Sequence, residues 1–190
     1  ARQPAQRALS RDQTQCRGPF VVSVAIRAER AGDEAAIHRL TQAAFNGHPH
    51  SDGTEPAMVA ALRQRGELSL SLVAEDGARI VGHAAFSPVT LSDGEEGWLA
   101  LGPISVDPAR QGEGIGRALV EAGAAQLRDG GAKGVVLDGD PELYRRFGFR
   151  RDTPLFIEGP LAPYFQALPF TDRPPAASVT FAPAFDTSEG

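Results

Sequence analysis

The chain has 190 residues, 42% of them hydrophobic and 23% charged, which predicts one domain with a sizeable core. A net charge of −5 gives no bulk attraction for nucleic acid or an anionic membrane, and no apolar run approaches the roughly 18 residues of a spanning helix. Cys16 is the single cysteine; this excludes an internal disulfide framework and a multi-cysteine metal site and fits a reducing cytoplasm.

Residues 1–19 read as a flexible N-terminal tail, with several arginines and no apolar stretch of signal-peptide type. Residues 20–190 read as a single domain, with a core over 20–155 and a C-terminal segment over 156–190. Val22, Val24 and Ile26 alternate along a first strand, Phe20 to Arg27. Asp33 is placed to cap a helix that carries Ile37, Leu40 and Ala44 on one face. The turn formers from Asn46 to Gly53 make a loop, and Thr54 or Asp52 caps a second helix with Met58, Val59 and Leu62 inward. Leu68 to Glu75 and Arg79 to Ser87 form a hairpin across Asp76-Gly77. Trp98 to Val106 is the next strand. A main helix runs from Gly114 to about Asp129 and is ended by Gly130-Gly131. Lys133 to Asp138 is a buried-looking strand, Pro141 opens a short helix through Arg146, and Ser178 to Phe181 adds a last edge strand.

The run from Val106 to Leu119 carries the most chemistry. A strand stops at Pro108; Gly112, Gly114 and Gly116 follow; then Ile115, Leu119 and Ala122 fall at helical spacing. Glycines let backbone approach a bulky anion, and the free N–H groups at a helix start favour one. The run also fits a turn that only reverses the chain. A P-loop needs Gly-Lys-Ser/Thr, yet the single lysine, Lys133, lies outside the turn. A dinucleotide fingerprint needs a third glycine where Arg117 stands.

The pattern that fits is Gln111-x-x-Gly114-x-Gly116 after a Val-x-Pro strand end, which resembles the acyl-CoA loop of the GNAT superfamily of N-acetyltransferases. A second match lies about 30 residues on, Leu137-Asp-Gly-Asp-Pro-Glu-Leu-Tyr144-Arg-Arg-Phe-Gly148-Phe149. It is similar to the Gly-Asp-Pro branch of predicted N-acetyltransferases, although Leu143 stands where that branch often has an aromatic residue. The resemblance covers residues 24–155. It implies an α/β fold with a mixed, mostly antiparallel sheet, a splayed central strand pair and helices on both faces.

It also implies transfer of an acetyl group from acetyl-CoA to an amine of a small molecule or peptide, by direct attack. Backbone groups of Gln111, Gly112, Glu113, Gly114, Ile115, Gly116 and Arg117 would hold the pyrophosphate, with the Glu113 side chain turned to solvent. The pantetheine arm would pair with Ile104, Ser105 and Val106 like an extra strand, where Gly102-Pro103 fits a bulge. An N–H near Ile104 would stabilise the oxyanion, and Tyr144 would protonate the leaving thiolate. A core-packing role for Tyr144 stays open. For a base, Glu55, Glu95, Glu96 and Asp52 all stand near the expected substrate mouth; each also reads as a solvated surface carboxylate, and a water chain in place of a single base stays open. His48-Pro-His50 with Asp52 reads as a substrate loop with no metal, and His83 as a packed or surface residue. A second reading is an acyl-CoA-binding sensor without turnover. A nucleotide-binding regulator is disfavoured by the missing P-loop lysine. Two copies could pair through the apolar C-terminal segment; nucleic acid and membrane are not expected partners.

Overall fold

The computed structural model describes residues 24–47, 51 and 53–185. The expected tail, the first residues of the expected first strand (20–23), His48, His50 and Asp52 lie outside the described residues. The elements in order are β1 (Ala25–Ala28), α1 (Glu34–Phe45), α2 (Glu55–Gln64), β2 (Leu70–Asp76), β3 (Arg79–Pro88), β4 (Thr90–Leu91), β5 (Trp98–Val106), α3 (Ile115–Asp129), β6 (Gly134–Asp138), α4 (Pro141–Tyr144), β7 (Phe165–Pro169) and β8 (Val179–Thr180). The main sheet has the order β1-β2-β3-β5-β6-β7. Every neighbouring pair in it is antiparallel except β5 and β6, which run parallel.

Alternation along the strands sorts side chains onto two faces. Leu72, Ala74, Ala84 and Phe86 look toward α3, which answers with Ile115, Leu119 and Val120. Val73, between Leu72 and Ala74, looks the other way and packs with Ile37 of α1 and Val59 of α2. A further cluster, including Trp98, Val136, Leu155, Phe165 and Val179, fills that second face toward the C-terminal half. Helix α3 lies very close to the sheet because its facing position is Gly123. A Cβ there would stand 2.3 Å from Cζ of buried Phe86. The helix ends as expected: Gly131 has φ +85°, its N–H donates to Arg128 O, and the Ala132 N–H donates to Leu127 O.

Four local readings are revised. The hairpin loop is Gly77-Ala78, because Asp76 pairs with Arg79; Gly77, at φ +60°, occupies the first loop position, as a type II′ turn requires. Asp33 holds the N-cap position of α1 but makes no side-chain cap. Its carboxylate takes the Arg27 guanidinium at 2.6 Å and the Arg30 N–H at 2.8 Å instead. The expected last strand over Ser178–Phe181 shrinks to β8, which pairs with β4 in a separate two-stranded ribbon. The sixth strand of the main sheet is β7, unforeseen because it sits between Pro163 and Pro169; an edge strand tolerates proline at its end.

Candidate active site

The parallel pairing of β5 with β6 covers only Trp98–Gly134, Leu99–Val135 and Ala100–Val136. Beyond Ala100 the strands separate. Register with β3 moves from Leu101↔Phe86 to Ile104↔Ala84, so β5 carries one extra residue at Gly102-Pro103, the expected bulge, with a cis peptide between the two. The remainder of β5 is hydrogen-bonded to β3 on one edge only. Asp107 N–H donates to Val81 O at 2.9 Å. By the alternation of an antiparallel ladder, Ser105 also addresses β3, whereas the backbone groups of Ile104 and Val106 address the notch. Side chains hold this edge still. Ser105, 1% exposed, donates from Oγ to Thr41 Oγ1 of α1 at 3.1 Å, while Ile104 and Val106 pack in the α3 cluster.

The glycine turn adjoins the end of that edge. Gly112 and Gly114 have φ +82° and +88°, a left-handed geometry that L side chains rarely adopt. Gly114 is the N-cap of α3, and its carbonyl accepts the first helical bond, from Ala118 N–H at 3.0 Å. From Gln111 to Arg117 no backbone N–H finds an acceptor among the described residues. A donor-rich concavity at the start of a 15-residue helix suits an anion. The third glycine differs: a Cβ on Gly116 would lie 3.6 Å from Val106 Cγ2, an ordinary contact pointing back toward β5. Glu113 does not turn free to solvent as expected. Its carboxylate accepts from Arg110 Nε at 2.7 Å, and Arg110 also holds Asp76 at 2.7 Å. These two carboxylates keep the guanidinium firmly protonated.

Tyr144 ends α4, whose N-cap Asp140 accepts from Glu142 N–H at 2.9 Å. The ring stands edge-on to Phe147 and Phe149, with centroids 6.0 and 5.9 Å away. Its third wall is Gly139, where a Cβ would come 2.5 Å from Tyr144 Cε2. Gln166, 1% exposed, steadies this corner by donating from Nε2 to Gly139 O at 3.1 Å. The Tyr144 hydroxyl makes no hydrogen bond among the described residues. Burial, then the charges of Asp138 and Asp140, push its phenol up to about 12 from 10. It therefore holds its proton throughout the neutral range and can only donate it.

The expected bases separate. Glu95 pairs with Lys133 at 2.8 Å, beside the closed end of the β5–β6 pair, and Glu96 is exposed in the same turn. From Trp98 to Ile104 the strand alone spans about 20 Å, so neither reaches the notch. Glu55 is 9% exposed at the start of α2, where its Oε2 accepts from Ser51 Oγ at 2.8 Å. Among the described residues no cluster of metal-ligating side chains occurs. One carboxyl that the sequence reading did not single out is Asp138, the last residue of β6. Its signal was a charge closing the buried run Val135-Val136-Leu137.

His83 proves to be packed, with no exposed surface. Ser71 Oγ donates its one proton to Glu29 Oε2, so the 2.9 Å contact to His83 Nε2 requires the ring N–H on that nitrogen. Glu29 is held in turn by Arg63 at 2.7 Å. His83 Nδ1 is left buried and unpartnered among the described residues. Burial, then the Arg63 charge, lower the imidazole to about 3, so it is neutral.

Residues 34–149 match the model of the Acetyltransferase (GNAT) family. The chain is 39% identical over 125 residues to the uncharacterized N-acetyltransferase YhbS of Escherichia coli K12, covering 65% of this chain and 72% of that protein. Its fold matches a crystal structure of a GNAT family acetyltransferase from Brucella melitensis in complex with acetyl-CoA. That likeness has a TM-score of 0.77 and 47% identity, over 86% of this chain and 98% of the other. The crystal structure of Escherichia coli YhbS in complex with CoA has the same TM-score at 33% identity, over 86% of this chain and 92% of the other. With the family's model spanning well over half of its length, the chain belongs to the GNAT family of acetyltransferases.

Proposed function

We propose that this acetyltransferase carries out amine acetylation in the notch between β5 and β6, with acetyl-CoA as the acetyl donor. The observation that carries this reading is the unpaired edge of Ile104 and Val106 running into the donor-rich turn Gln111–Arg117. The pantetheine amides pair with Ile104 and Val106 as the strand that β6 no longer supplies. The pyrophosphate takes the N–H groups of Gln111, Gly112, Glu113, Gly114, Ile115, Gly116 and Arg117. Ser105 contributes only backbone context, since its hydroxyl is spent on Thr41.

The acceptor nitrogen attacks the thioester carbonyl carbon. The Ile104 N–H faces the oxygen on which charge collects, and a fixed donor there needs no reorganisation as the charge develops. As the C–S bond breaks, Tyr144 gives its proton to the sulfur. The acceptor is an amine of a small molecule or peptide.

The test has two readings on one protein. Acetyl-CoA should raise the melting temperature, because a ligand bound only by the native state stabilises it by mass action. Free thiol should then appear when acetyl-CoA meets one of a panel of primary amines. A thermal shift with no thiol release across the panel would favour the sensor alternative; no shift at all would remove the notch as the donor site.

A further inference from the structure

We propose that Asp138 is the group that receives the acceptor's ammonium in the notch and takes a proton from it before attack. This rests on the amine-acetylating reading above and assigns its missing base.

Asp138 stands two residues beyond Val136, the last residue of β6 that still pairs with β5. It therefore lies at the mouth where the strands part. Its face is fixed by alternation and by register. Val135 and Leu137 belong to the α3 cluster, whereas Val136 belongs to the opposite one. Asp138 follows Val136, and its cross-strand partner on β7 is Phe165, another member of that opposite cluster. The carboxyl is thus on the side of the sheet away from α3 and its glycine turn. A donor held on the turn and an acceptor held by Asp138 would meet across the notch from opposite faces. Phe165 is in addition a wall of a concavity of about 390 Å³, shared with Arg151, Asp152, Leu155, Ile157 and Ala162.

The carboxylate is half-buried; its own backbone N–H donates to it, and it has no ion-pair partner among the described residues. Four other shielded carboxylates, Asp33, Glu75, Glu29 and Asp107, each hold an arginine, whereas Glu55 has only the Ser51 hydroxyl and Glu67 keeps a buried Oε2 without a partner among the described residues. A buried charge without a partner is costly, and an incoming ammonium would relieve that cost. Burial raises the Asp138 carboxyl above its ordinary value, which makes it the stronger base. The titratable groups around it are Tyr144 on α4 and Asp140 at the cap of that helix. Across β7 stand uncharged Phe165 and Gln166, and the β5 segment from Leu101 to Val106 carries no ionisable side chain. The Asp138 charge adds to the rise of the Tyr144 phenol.

The step balances as follows. The ammonium gives one proton to Asp138, and the freed lone pair forms the C–N bond at the thioester carbon. The C–S bond breaks and the sulfur takes the Tyr144 proton. The second proton lost by nitrogen restores Tyr144, and Asp138 returns its proton to solvent.

Asp138→Asn keeps the shape and removes the base. With the primary-amine panel and acetyl-CoA, it should keep the acetyl-CoA thermal shift, lose about 10²-fold in kcat/KM, and lose the acid limb of the pH profile. Asp138→Glu should recover part of the rate and keep that limb. A second readout does not need turnover. The chain has two tyrosines, so carbon-13 labelling of the phenol carbon in a Tyr164→Phe background leaves Tyr144 as the single signal. That signal should move as Asp138 titrates in the acid range, and the movement should vanish in Asp138→Asn. Full kcat/KM and an intact acid limb in Asp138→Asn would overturn the assignment, as would loss of the acetyl-CoA shift in that variant, or a Tyr144 signal indifferent to Asp138. If the wild type turned over none of the amines, the reaction reading would fail separately, and the Tyr144 signal would still decide whether Asp138 addresses that site.

Discussion

Leu72 and Val73 are neighbours in β2, yet the two faces of the sheet they serve are made of different materials. Around Leu72, the α3 side is apolar and tight, with Gly82 and Gly123 letting helix and sheet close to contact distance. Around Val73, the α1–α2 side carries a line of polar groups: Arg63, Glu29, Ser71 and His83 in one chain, and Ser105 with Thr41 in another. The first face offers backbone donors and a rigid floor, which suits an anionic ligand of fixed shape. The second offers buried side chains held by one another, Ser105 by Thr41 and His83 by Ser71.

The contrast is most exposed at the turn. Gly114→Val forces a left-handed residue into a position only glycine occupies freely, costing about 1–2 kcal/mol, and should abolish the acetyl-CoA thermal shift. Gly116→Ala should keep it, because the added Cβ meets Val106 at 3.6 Å without conflict. Calorimetric melting with and without acetyl-CoA reads both. Equal loss in the two variants would mean that the turn binds through space rather than through its N–H groups.

Next in size is Tyr144→Phe, which keeps the ring between Phe147, Phe149 and Gly139 and removes only the proton. Turnover should fall by roughly 10²-fold or less, with acetyl-CoA affinity unchanged. Wild-type turnover would return Tyr144 to a packing role, and lost affinity would make it a binding residue.

Gly123→Ala tests the tight face by sign. In an exposed helix the change stabilises by about 1 kcal/mol. Here the new Cβ meets buried Phe86 at 2.3 Å, and overpacking of this kind costs about 1–3 kcal/mol, so the denaturation midpoint should fall. A rise would show that α3 can lift from the sheet.

The effect on the polar face is smallest at neutral pH and grows only on acidification. His83 titrates lower in the folded protein than in the unfolded chain, so the unfolded state binds the extra proton. Its contribution is full above about pH 6.5 and declines as pH falls toward 3, with a slope of up to about 1.4 kcal/mol per pH unit. Urea titrations across that window should show His83→Gln with a flatter pH dependence than the wild type. An unchanged slope would place the acid sensitivity elsewhere.

What the sequence made legible follows the same division. The α3 face announces itself through apolar spacing from Ile115 to Ala124 and through glycines whose reasons are local. The notch was legible in part, since Gly102-Pro103 marks the bulge, but the three-pair limit of the β5–β6 ladder is a property of two strands about 35 residues apart. Asp138 was hidden because one charge closing a hydrophobic run looks like a strand end. His83 read as packed or surface, and its partners Ser71 and Glu29, which settle it as packed, are remote in the chain. β7 was hidden because its prolines and aromatics resemble a loop, and only pairing with β6 makes them a strand.

Three rungs, Trp98 to Ala100 against Gly134 to Val136, with the Lys133 N–H donating to Gly97 O just before them, stitch the half-sheet β1-β2-β3-β5 to the half-sheet β6-β7. Mechanically this is a seam, with α3 and its Gly130-Gly131 exit serving as the strap across it. A chain cut in that exit would yield two fragments that meet again along that seam, the β4–β8 ribbon and the apolar clusters they share. A donor substrate laid against Ile104 and Val106 would then act as mortar, lengthening the joint from the open side. Reassembly of the two pieces should accordingly be strengthened by acetyl-CoA, as though the substrate were one more length of polypeptide.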